Sequence, residues 1–322
     1  MKQNSIYSWY LACRPKTLSG ALVSVFCACA LAMVHLRAAH QAFDWKAAAL
    51  CALFASLMQI ASNLINDLYD FQRGTDDEER LGPERACAQG WITPRAMRVG
   101  ISLVCSFAAT TGMLLMEYVE WWMVIPVVAI VILGAFLYTV FGSYHGLGDL
   151  LVYVFFGYVP TCGTYLVLTG TLDWEVFTLA TAVALVVDTL LVVNNYRDRE
   201  GDRKAGKNTI IVVMGRRAEQ RILREGTVDA ATAREYGEQR AEDFGHRFYF
   251  WQGMLAWFVV MLLGLHGHHM FLTVLYALLH SKTSREMHKI RQGRALNAIL
   301  GKTSMGMMLF AALTVLSLLL FG

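Results

Sequence analysis

The sequence predicts an all-α membrane protein in which nine transmembrane helices surround a central cavity that is open to lipid. Of the 322 residues, 56% are hydrophobic and only 16% are charged, whereas about a quarter of the residues in soluble domains are charged. Apolar runs of about 18 or more residues recur along the chain, and each can cross about 30 Å of hydrocarbon. We expect one transmembrane domain over residues 1–322.

The hydropathy pattern and the polar connections define the predicted spans. They occupy residues 17–36, 46–68, 97–116, 120–141, 148–169, 175–196, 248–266, 268–281 and 303–321. The eighth is short, so we expect it to be tilted or partly re-entrant. A charged, helix-prone insertion near residues 216–246 lies between spans six and seven, and we expect it to form a solvated cytoplasmic helix or hairpin.

The basic residues fall almost entirely on one side of the predicted membrane. Of the 28 Lys and Arg residues, all except Arg37 and Lys46 lie before span one or in alternate connections. By the positive-inside rule that side is cytoplasmic, which places the N-terminus inside and the C-terminus outside. We therefore expect a multi-pass protein of the inner or plasma membrane whose functional site faces the cytoplasm.

Two Asp-rich motifs follow spans two and six, both on the predicted cytoplasmic side. Motif one, residues 63–77, carries Asn63, Asp67 and Asp70 at i, i+4 and i+7. Motif two, residues 194–202, carries Asn194, Asp198 and Asp202 at i, i+4 and i+8. Either spacing places the side chains on one helix face. Carboxylates are costly near a bilayer core, which indicates a functional role.

The oxygen donors of the two motifs suit Mg²⁺, which usually binds one or two carboxylates together with substrate phosphate oxygens. Two facing motifs can each hold one ion and bracket a diphosphate between them. We expect Asn63 and Asn194 to contribute neutral oxygen donors. Interleaved cations would complete the phosphate site, and these are Arg73, Arg80, Arg197 and Lys207.

A diphosphate site that opens into lipid suits a polyprenyl diphosphate, because its head is charged and its tail is apolar. Breaking the C1–O bond of this donor gives an allylic cation, which an electron-rich aromatic acceptor can trap. Aromatic side chains could shield the cation. The expected partners are the donor, the acceptor and the bilayer. We expect no nucleic-acid partner.

The chain resembles the UbiA superfamily of intramembrane aromatic prenyltransferases, in particular its menaquinone branch, the 1,4-dihydroxy-2-naphthoate polyprenyltransferases. The segments that carry the resemblance follow one another along nearly the whole chain. They are Arg14-Pro-Lys-Thr-Leu18, Asn63-Leu-Ile-Asn-Asp-Leu-Tyr-Asp70, Gly74-Thr-Asp76, Arg80-Leu-Gly-Pro83, Tyr138-Thr139, Gly146-Leu-Gly-Asp149, Phe155-Phe-Gly157, Asn194-Asn-Tyr-Arg-Asp198 with Asp202, Gly206-Lys-Asn-Thr209, Leu296-Asn297 and Gly301-Lys-Thr303.

The resemblance implies a nine-helix fold, two Mg²⁺ ions, and transfer of a polyprenyl group to dihydroxynaphthoate with loss of its carboxyl group, giving demethylmenaquinone and pyrophosphate. The implied metal ligands are Asp67, Asp70 and Asp76 in motif one and Asp198 and Asp202 in motif two. Asp77 competes with Asp76 for its place, although the spacing favours Asp76. Asp67, Asp70, Asp198 and Asp202 are the residues that we expect to be essential for catalysis.

Three polar residues near the predicted cytoplasmic boundary are candidates for binding the acceptor. Arg14 and Lys16 could bind its carboxylate, or they could simply anchor span one. Asp149, at the start of span five, could touch the acceptor or orient a loop. Asp188 lies inside span six, about 15 Å deeper than Asp198 on a similar face, where it could shape the prenyl channel.

Several alternatives stay open at this point. The same fold could prenylate another aromatic acceptor such as 4-hydroxybenzoate. An ion-coupled transporter would also hold intramembrane carboxylates, but typically at the bilayer midplane. A membrane phosphotransferase for lipid alcohols would also use Asp and Mg²⁺, although its motif spacing is not present. His266, His268 and His269 could bind a metal, but we expect them to lie in an exposed external turn.

Overall fold

The computed structural model describes residues 2–74, 81–138, 142–226 and 228–322, and within these ranges the chain is helical without any β-strand. In the described ranges, seven helices are long and apolar enough to cross a membrane, and an eighth apolar helix, Trp121–Leu137, is shorter. The prediction of an all-α membrane protein is confirmed. The count of nine spans and the side of the N-terminus stay predictions.

The longer helices are numbered here in chain order. They are α1 (Ile6–Cys13), α2 (Leu18–Ala38), α3 (Trp45–Gln72), α4 (Pro94–Leu114), α5 (Trp121–Leu137), α6 (Gly148–Thr169), α7 (Trp174–Lys204), α8 (Ile210–Glu225), α9 (Ala230–Met261), α10 (Val274–Ile290) and α11 (Leu296–Phe321). Single turns of 3-10 helix lie at Pro15–Thr17, Leu115–Glu117 and Phe271–Thr273, and a longer one at Leu262–His266.

Side-chain caps set the start of several long helices. Asp44, Thr93 and Asp173 each accept a hydrogen bond from the backbone amide three residues further on, at 2.9, 3.2 and 2.9 Å. Each cap satisfies one of the amides that a helix start leaves without an intrahelical partner. Glycines in the left-handed conformation follow the ends of α3 and α7, at Gly74 (φ 68°) and Gly206 (φ 74°).

Two of the predicted boundaries are wrong. The predicted eighth span, 268–281, is instead a turn followed by α10, which begins at Val274, ends at Ile290 and is not among the helices apolar enough to span. The charged residues from 230 onward are not separate from span seven, since α9 is one continuous helix of 32 residues. The segment near 216–246 thus comprises the end of α8 and the first half of α9, packed as a hairpin.

α7 is the central helix of the largest buried cluster, in which it packs with α2, α9 and α11 through residues such as Leu31, Val183, Val260 and Phe310. A second cluster joins α3 to α4 through Leu64 and Met97. Residues Tyr153–Tyr158 of α6 form a π-helical segment. Such segments are frequent at functional sites.

Candidate active site

The two motifs lie at the carboxyl ends of α3 and α7, two long apolar helices that begin at Asp caps. α3 has 28 residues and α7 has 31, which correspond to about 42 and 46 Å. Both helices exceed the roughly 30 Å of a bilayer core, so their last turns can project beyond the hydrocarbon. Asn63, Asp67 and Asp70 are buried by neighbouring elements, as is Asp202. Residues 63–72 of motif one and all of motif two lie on these helices, as predicted.

Asp70 and Asp202 face the same cation. Lys207, just beyond the end of α7, has its Nζ 3.5 Å from Asp202 Oδ1. Burial alone would lower the pKa of Lys207, but the carboxylates of Asp202 and Asp70 raise it on balance, so the amine stays charged. Asp70 and Asp198 both lie close enough to Asp202 to repel it electrostatically. The structure therefore brings Asp70 and Asp202 together beside Lys207, with Asp198 close to Asp202.

Arg85 is a further cation at this site, and the sequence reasoning missed it. Its Nη2 donates to Asp70 Oδ2 at 2.9 Å, and its side chain is 8% exposed. Charge-assisted pairs of this kind are short and strong when they are shielded from water. The only signal in the sequence is a basic residue shortly after Pro83, since the partner of Arg85 depends on the path of an irregular loop.

Asp67 contacts this same loop and not the second motif. Its Oδ2 accepts from the amide of Ala86 at 2.8 Å, and its Oδ1 accepts from the amide of Cys87 at 2.9 Å. The side chain is fully buried. Asp67 therefore holds residues 85–87 against α3, which keeps Arg85 beside Asp70.

A second chain of polar contacts joins motif two to the other end of this loop. Arg197 donates from Nε and Nη2 to the two oxygens of Asp198, at 2.8 and 2.6 Å. Its Nη1 donates to Asn297 Oδ1 at 2.8 Å, and Asn297 Nδ2 donates to the carbonyl of Leu81 at 3.0 Å. Arg197 thus orients Asp198 and links α7, α11 and the loop after motif one.

The two predicted Asn donors have different surroundings. Asn63 Nδ2 donates to the carbonyl of Cys13 at 3.0 Å and to Thr17 Oγ1 at 2.9 Å. These bonds hold the turn in which Arg14 adopts the left-handed conformation (φ 50°), uncommon for a residue other than glycine. Asn194 Nδ2 donates to the carbonyl of Leu190 on its own helix at 3.0 Å.

The structure describes only some of the remaining residues that were predicted to bind phosphate or the acceptor. The guanidinium of Arg73 lies over the ring of Tyr144, 4.5 Å from its centroid, so Arg73 meets the turn before α6. Asp76, Asp77 and Arg80 lie outside the described residues, as does the side chain of Lys16.

Asp149 and Asp188 form a buried pair next to this site. The two carboxyl groups lie close enough to interact electrostatically. Asp188 also accepts from Gln252 Nε2 at 2.5 Å. Tyr138 is electrostatically coupled to both carboxyls and to Asp70. The pair therefore lies on the inner side of the site, with Tyr138 close to both.

An apolar cavity of about 150 Å³ lies among α2, α3, α5 and α6. Its walls are mainly aliphatic and aromatic, with Ser62 and Tyr138 among the few polar residues that line it; Met58, Val131, Phe155 and Phe156 are typical of the rest. Ser62 directly precedes motif one, and Tyr138 is coupled to Asp70. The cavity can therefore receive an apolar chain whose charged end lies among the Asp residues.

Known proteins show the same combination of sequence and fold. Residues 21–286 match the UbiA prenyltransferase family. The chain is 35% identical over 224 residues to the 1,4-dihydroxy-2-naphthoate octaprenyltransferase of Haemophilus influenzae, covering 67% of this chain and 71% of that protein. It is 36% identical over 231 residues to the enzyme of that name from Mycobacterium tuberculosis, covering 70% and 76%.

Solved structures share the fold at low sequence identity. A UbiA homologue from Archaeoglobus fulgidus, determined with GPP and Mg²⁺ bound, has a TM-score of 0.60 at 14% identity over 97% of this chain and all of that one. The apo UbiA homologue of Aeropyrum pernix has a TM-score of 0.61 at 15% identity, over 92% and 94%. The family match and the curated relatives contradict the transporter alternative. The chain belongs to the UbiA prenyltransferase family and is a membrane-embedded prenyltransferase.

Proposed function

We propose that this enzyme transfers a polyprenyl group from polyprenyl diphosphate to 1,4-dihydroxy-2-naphthoate, with loss of the acceptor carboxyl group and release of pyrophosphate. The observation that carries the proposal is the convergence of carboxylates from both motifs, with Asp70 and Asp202 beside Lys207 and Asp198 close to Asp202, next to an apolar cavity. The relatives that bear the naphthoate name support the acceptor. We place the site at the cytoplasmic face of the inner or plasma membrane.

The donor set fits Mg²⁺. Three carboxylates from two helices offer the hard oxygen ligands that Mg²⁺ prefers. Their positive neighbours Arg85, Arg197 and Lys207 are placed to meet the phosphate oxygens of a bound diphosphate. We assign the ions to Asp70, Asp198 and Asp202, with Asp67 and Asp76 as the further candidates in motif one. When bound, Mg²⁺ would neutralise the negative charge that develops on the departing pyrophosphate.

The protein side chains have separate roles around the donor. Lys207, Arg85 and Arg73 bind oxygens of the diphosphate, and the apolar cavity takes the prenyl chain. The C1–O bond breaks and its electron pair leaves with pyrophosphate. The faces of Tyr138 and Phe155, which line the cavity, then stabilise the allylic cation through their ring quadrupoles and exclude water.

Arg14 is the residue that we propose for the acceptor carboxylate, because the hydrogen bonds of Asn63 fix its turn beside motif one. The ring carbon that bears the carboxylate attacks C1 of the prenyl cation. Loss of CO₂ then returns the bonding pair to the ring, giving the reduced form of demethylmenaquinone. Lys16 and Asp149 are further candidates for orienting the acceptor.

The test is an assay of the full chain reconstituted in lipid with Mg²⁺ and a polyprenyl diphosphate. Dihydroxynaphthoate and 4-hydroxybenzoate are supplied in parallel as acceptors. We expect a prenylated naphthoquinol and one CO₂ per turnover with the first acceptor. Turnover with 4-hydroxybenzoate alone would overturn the acceptor assignment. An absence of turnover with both acceptors would overturn the proposed prenyl transfer.

A further inference from the structure

A second polar cluster lies at the opposite end of the molecule from the Asp motifs. It joins His35 near the end of α2, Glu175 in the first turn of α7 and His268 in the turn between α9 and α10. Glu175 precedes Asp198 by 23 residues on the same helix, which corresponds to about 35 Å. One potential ligand atom from each of the three side chains lies within 4.8 Å of the others.

The two imidazoles converge on one carboxylate oxygen. His35 Nε2 lies 2.7 Å from Glu175 Oε2, and His268 Nε2 lies 2.8 Å from the same atom. His266 approaches from the other side, with its Nδ1 3.6 Å from Glu175 Oε1. His268 is 7% exposed, so the prediction of an exposed turn is wrong for this residue.

The hydrogen-bond pattern around His35 calls for a positive charge at the centre of the cluster. The single hydroxyl proton of Tyr165 goes to Asp173 Oδ2, at 2.5 Å, so His35 Nδ1, also 2.5 Å from that hydroxyl oxygen, must donate to it. A neutral His35 then presents a bare Nε2 to Glu175, and two lone pairs 2.7 Å apart repel. A metal ion bound to both atoms, or a second ring proton on His35, removes this repulsion.

We propose that His35, Glu175 and His268 bind a divalent transition-metal ion of the Zn²⁺ type, with His266 as the fourth ligand. Two imidazoles and one carboxylate are a ligand set that Zn²⁺ uses in proteins. Mg²⁺ prefers all-oxygen sites, so this cluster differs in kind from the Asp motifs.

The surroundings of the cluster match those of a metal site. A metal-bound histidine usually donates its second ring N–H to an acceptor that fixes the ring orientation. Tyr165, itself held by Asp173, provides that acceptor for His35. One divalent ion would also balance the charges of Asp173 and Glu175. Bound there, it would tie α2, α7 and the turn before α10 together, and so stabilise the end of the molecule remote from catalysis.

The test uses the purified full chain in detergent, stripped with a chelator and then saturated with Mg²⁺ so that the Asp motifs are occupied. Zn²⁺ is titrated by calorimetry, and the unfolding temperature is recorded with and without it. We expect one Zn²⁺ per chain and a higher unfolding temperature, because a ligand that binds only the folded state stabilises it.

Matched variants locate the ion. Glu175→Gln and His268→Gln should each weaken Zn²⁺ binding by on the order of 100-fold or more, and Asp173→Asn by about 10- to 100-fold. The control is His269→Gln, because His269 is exposed and stacks on Phe271. This variant should bind Zn²⁺ with the same affinity as the wild type.

A spectroscopic measurement on the unmodified protein tests the site even if the variants fail to fold. Co²⁺ should replace Zn²⁺ and give the visible absorption of a tetrahedral nitrogen and oxygen site. The proposal is overturned if no Zn²⁺ binds in the presence of Mg²⁺. It is also overturned if the Glu175 and His268 variants bind as the wild type does, which would show an adventitious ion only.

Discussion

Asp67 and Asp70 lie one helical turn apart in motif one but contact different groups. Asp70 meets Arg85 and the second motif, whereas both oxygens of Asp67 accept loop amides. The spacing of motif one correctly places the two residues on one helix face. Their different partners could not be predicted, because residues 85–87 belong to an irregular loop whose path depends on tertiary contacts. Arg85 escaped the sequence reasoning for the same reason.

Replacing Asp67 should reduce stability as well as activity. Asp67→Ala leaves two buried amides without an acceptor, which should cost about 2–4 kcal/mol. Asp67→Asn keeps one acceptor oxygen and should lose less. Thermal unfolding in detergent, together with proteolysis of the loop, measures the effect. If Asp67→Ala unfolded at the same temperature as the wild type, that result would contradict the role of Asp67 in holding the loop.

Lys207 should be important for binding the diphosphate. Lys207→Gln removes the charge that lies between Asp70 and Asp202, and we expect kcat/KM for the donor to fall on the order of 100-fold. Lys204→Gln is the matched control, since Lys204 is an exposed lysine at the end of α7, close to Lys207 in the sequence. Steady-state kinetics at varied donor concentration compare the two. Equal losses in both variants would indicate a general effect of surface charge.

At the scale of elements, hydropathy predicts where apolar segments lie but not where helices begin. Span seven was expected from residue 248, yet α9 begins at Ala230, because its charged first half is also helix-prone and packs on α8. The predicted eighth span shifted for a related reason. α10 carries polar residues through its second half, and the apolar residues before it form a turn.

The cavity among α2, α3, α5 and α6 should determine how well long donors are used. Ala55 lines this cavity, so Ala55→Phe should fill part of it. We expect activity with a long polyprenyl diphosphate to fall on the order of tenfold, with a smaller loss for a two-isoprene donor. Leu53→Phe on the exposed face of α3 is the control. An equal loss with both donors would place the prenyl chain elsewhere.

At the scale of the whole molecule, the two ends have different chemistry. Carboxylates paired with Arg and Lys lie at one end, and three histidines with two carboxylates lie at the other. By the positive-inside rule, the strong bias of Lys and Arg toward one set of connections predicts that the Asp end faces the cytoplasm. This assignment requires that the connection between α8 and α9 and the connection between α2 and α3 lie on opposite sides.

Labelling of single cysteines tests this orientation. In a background without the seven native cysteines, Ala231→Cys and Gln41→Cys each place a thiol at an exposed position. A reagent that does not cross membranes should label Gln41→Cys in intact cells and Ala231→Cys only in inverted vesicles. The opposite pattern would reverse the topology and contradict a cytoplasmic site.

If both motifs bind one diphosphate, a non-reactive donor should need residues of each motif for its affinity. A polyprenyl thiodiphosphate is titrated by calorimetry into the wild type, Asp70→Asn and Asp202→Asn, with and without Mg²⁺. We expect tight binding only by the wild type with Mg²⁺, and a loss on the order of 100-fold in each variant, since each motif supplies ligands. Wild-type affinity in either variant would contradict a shared site.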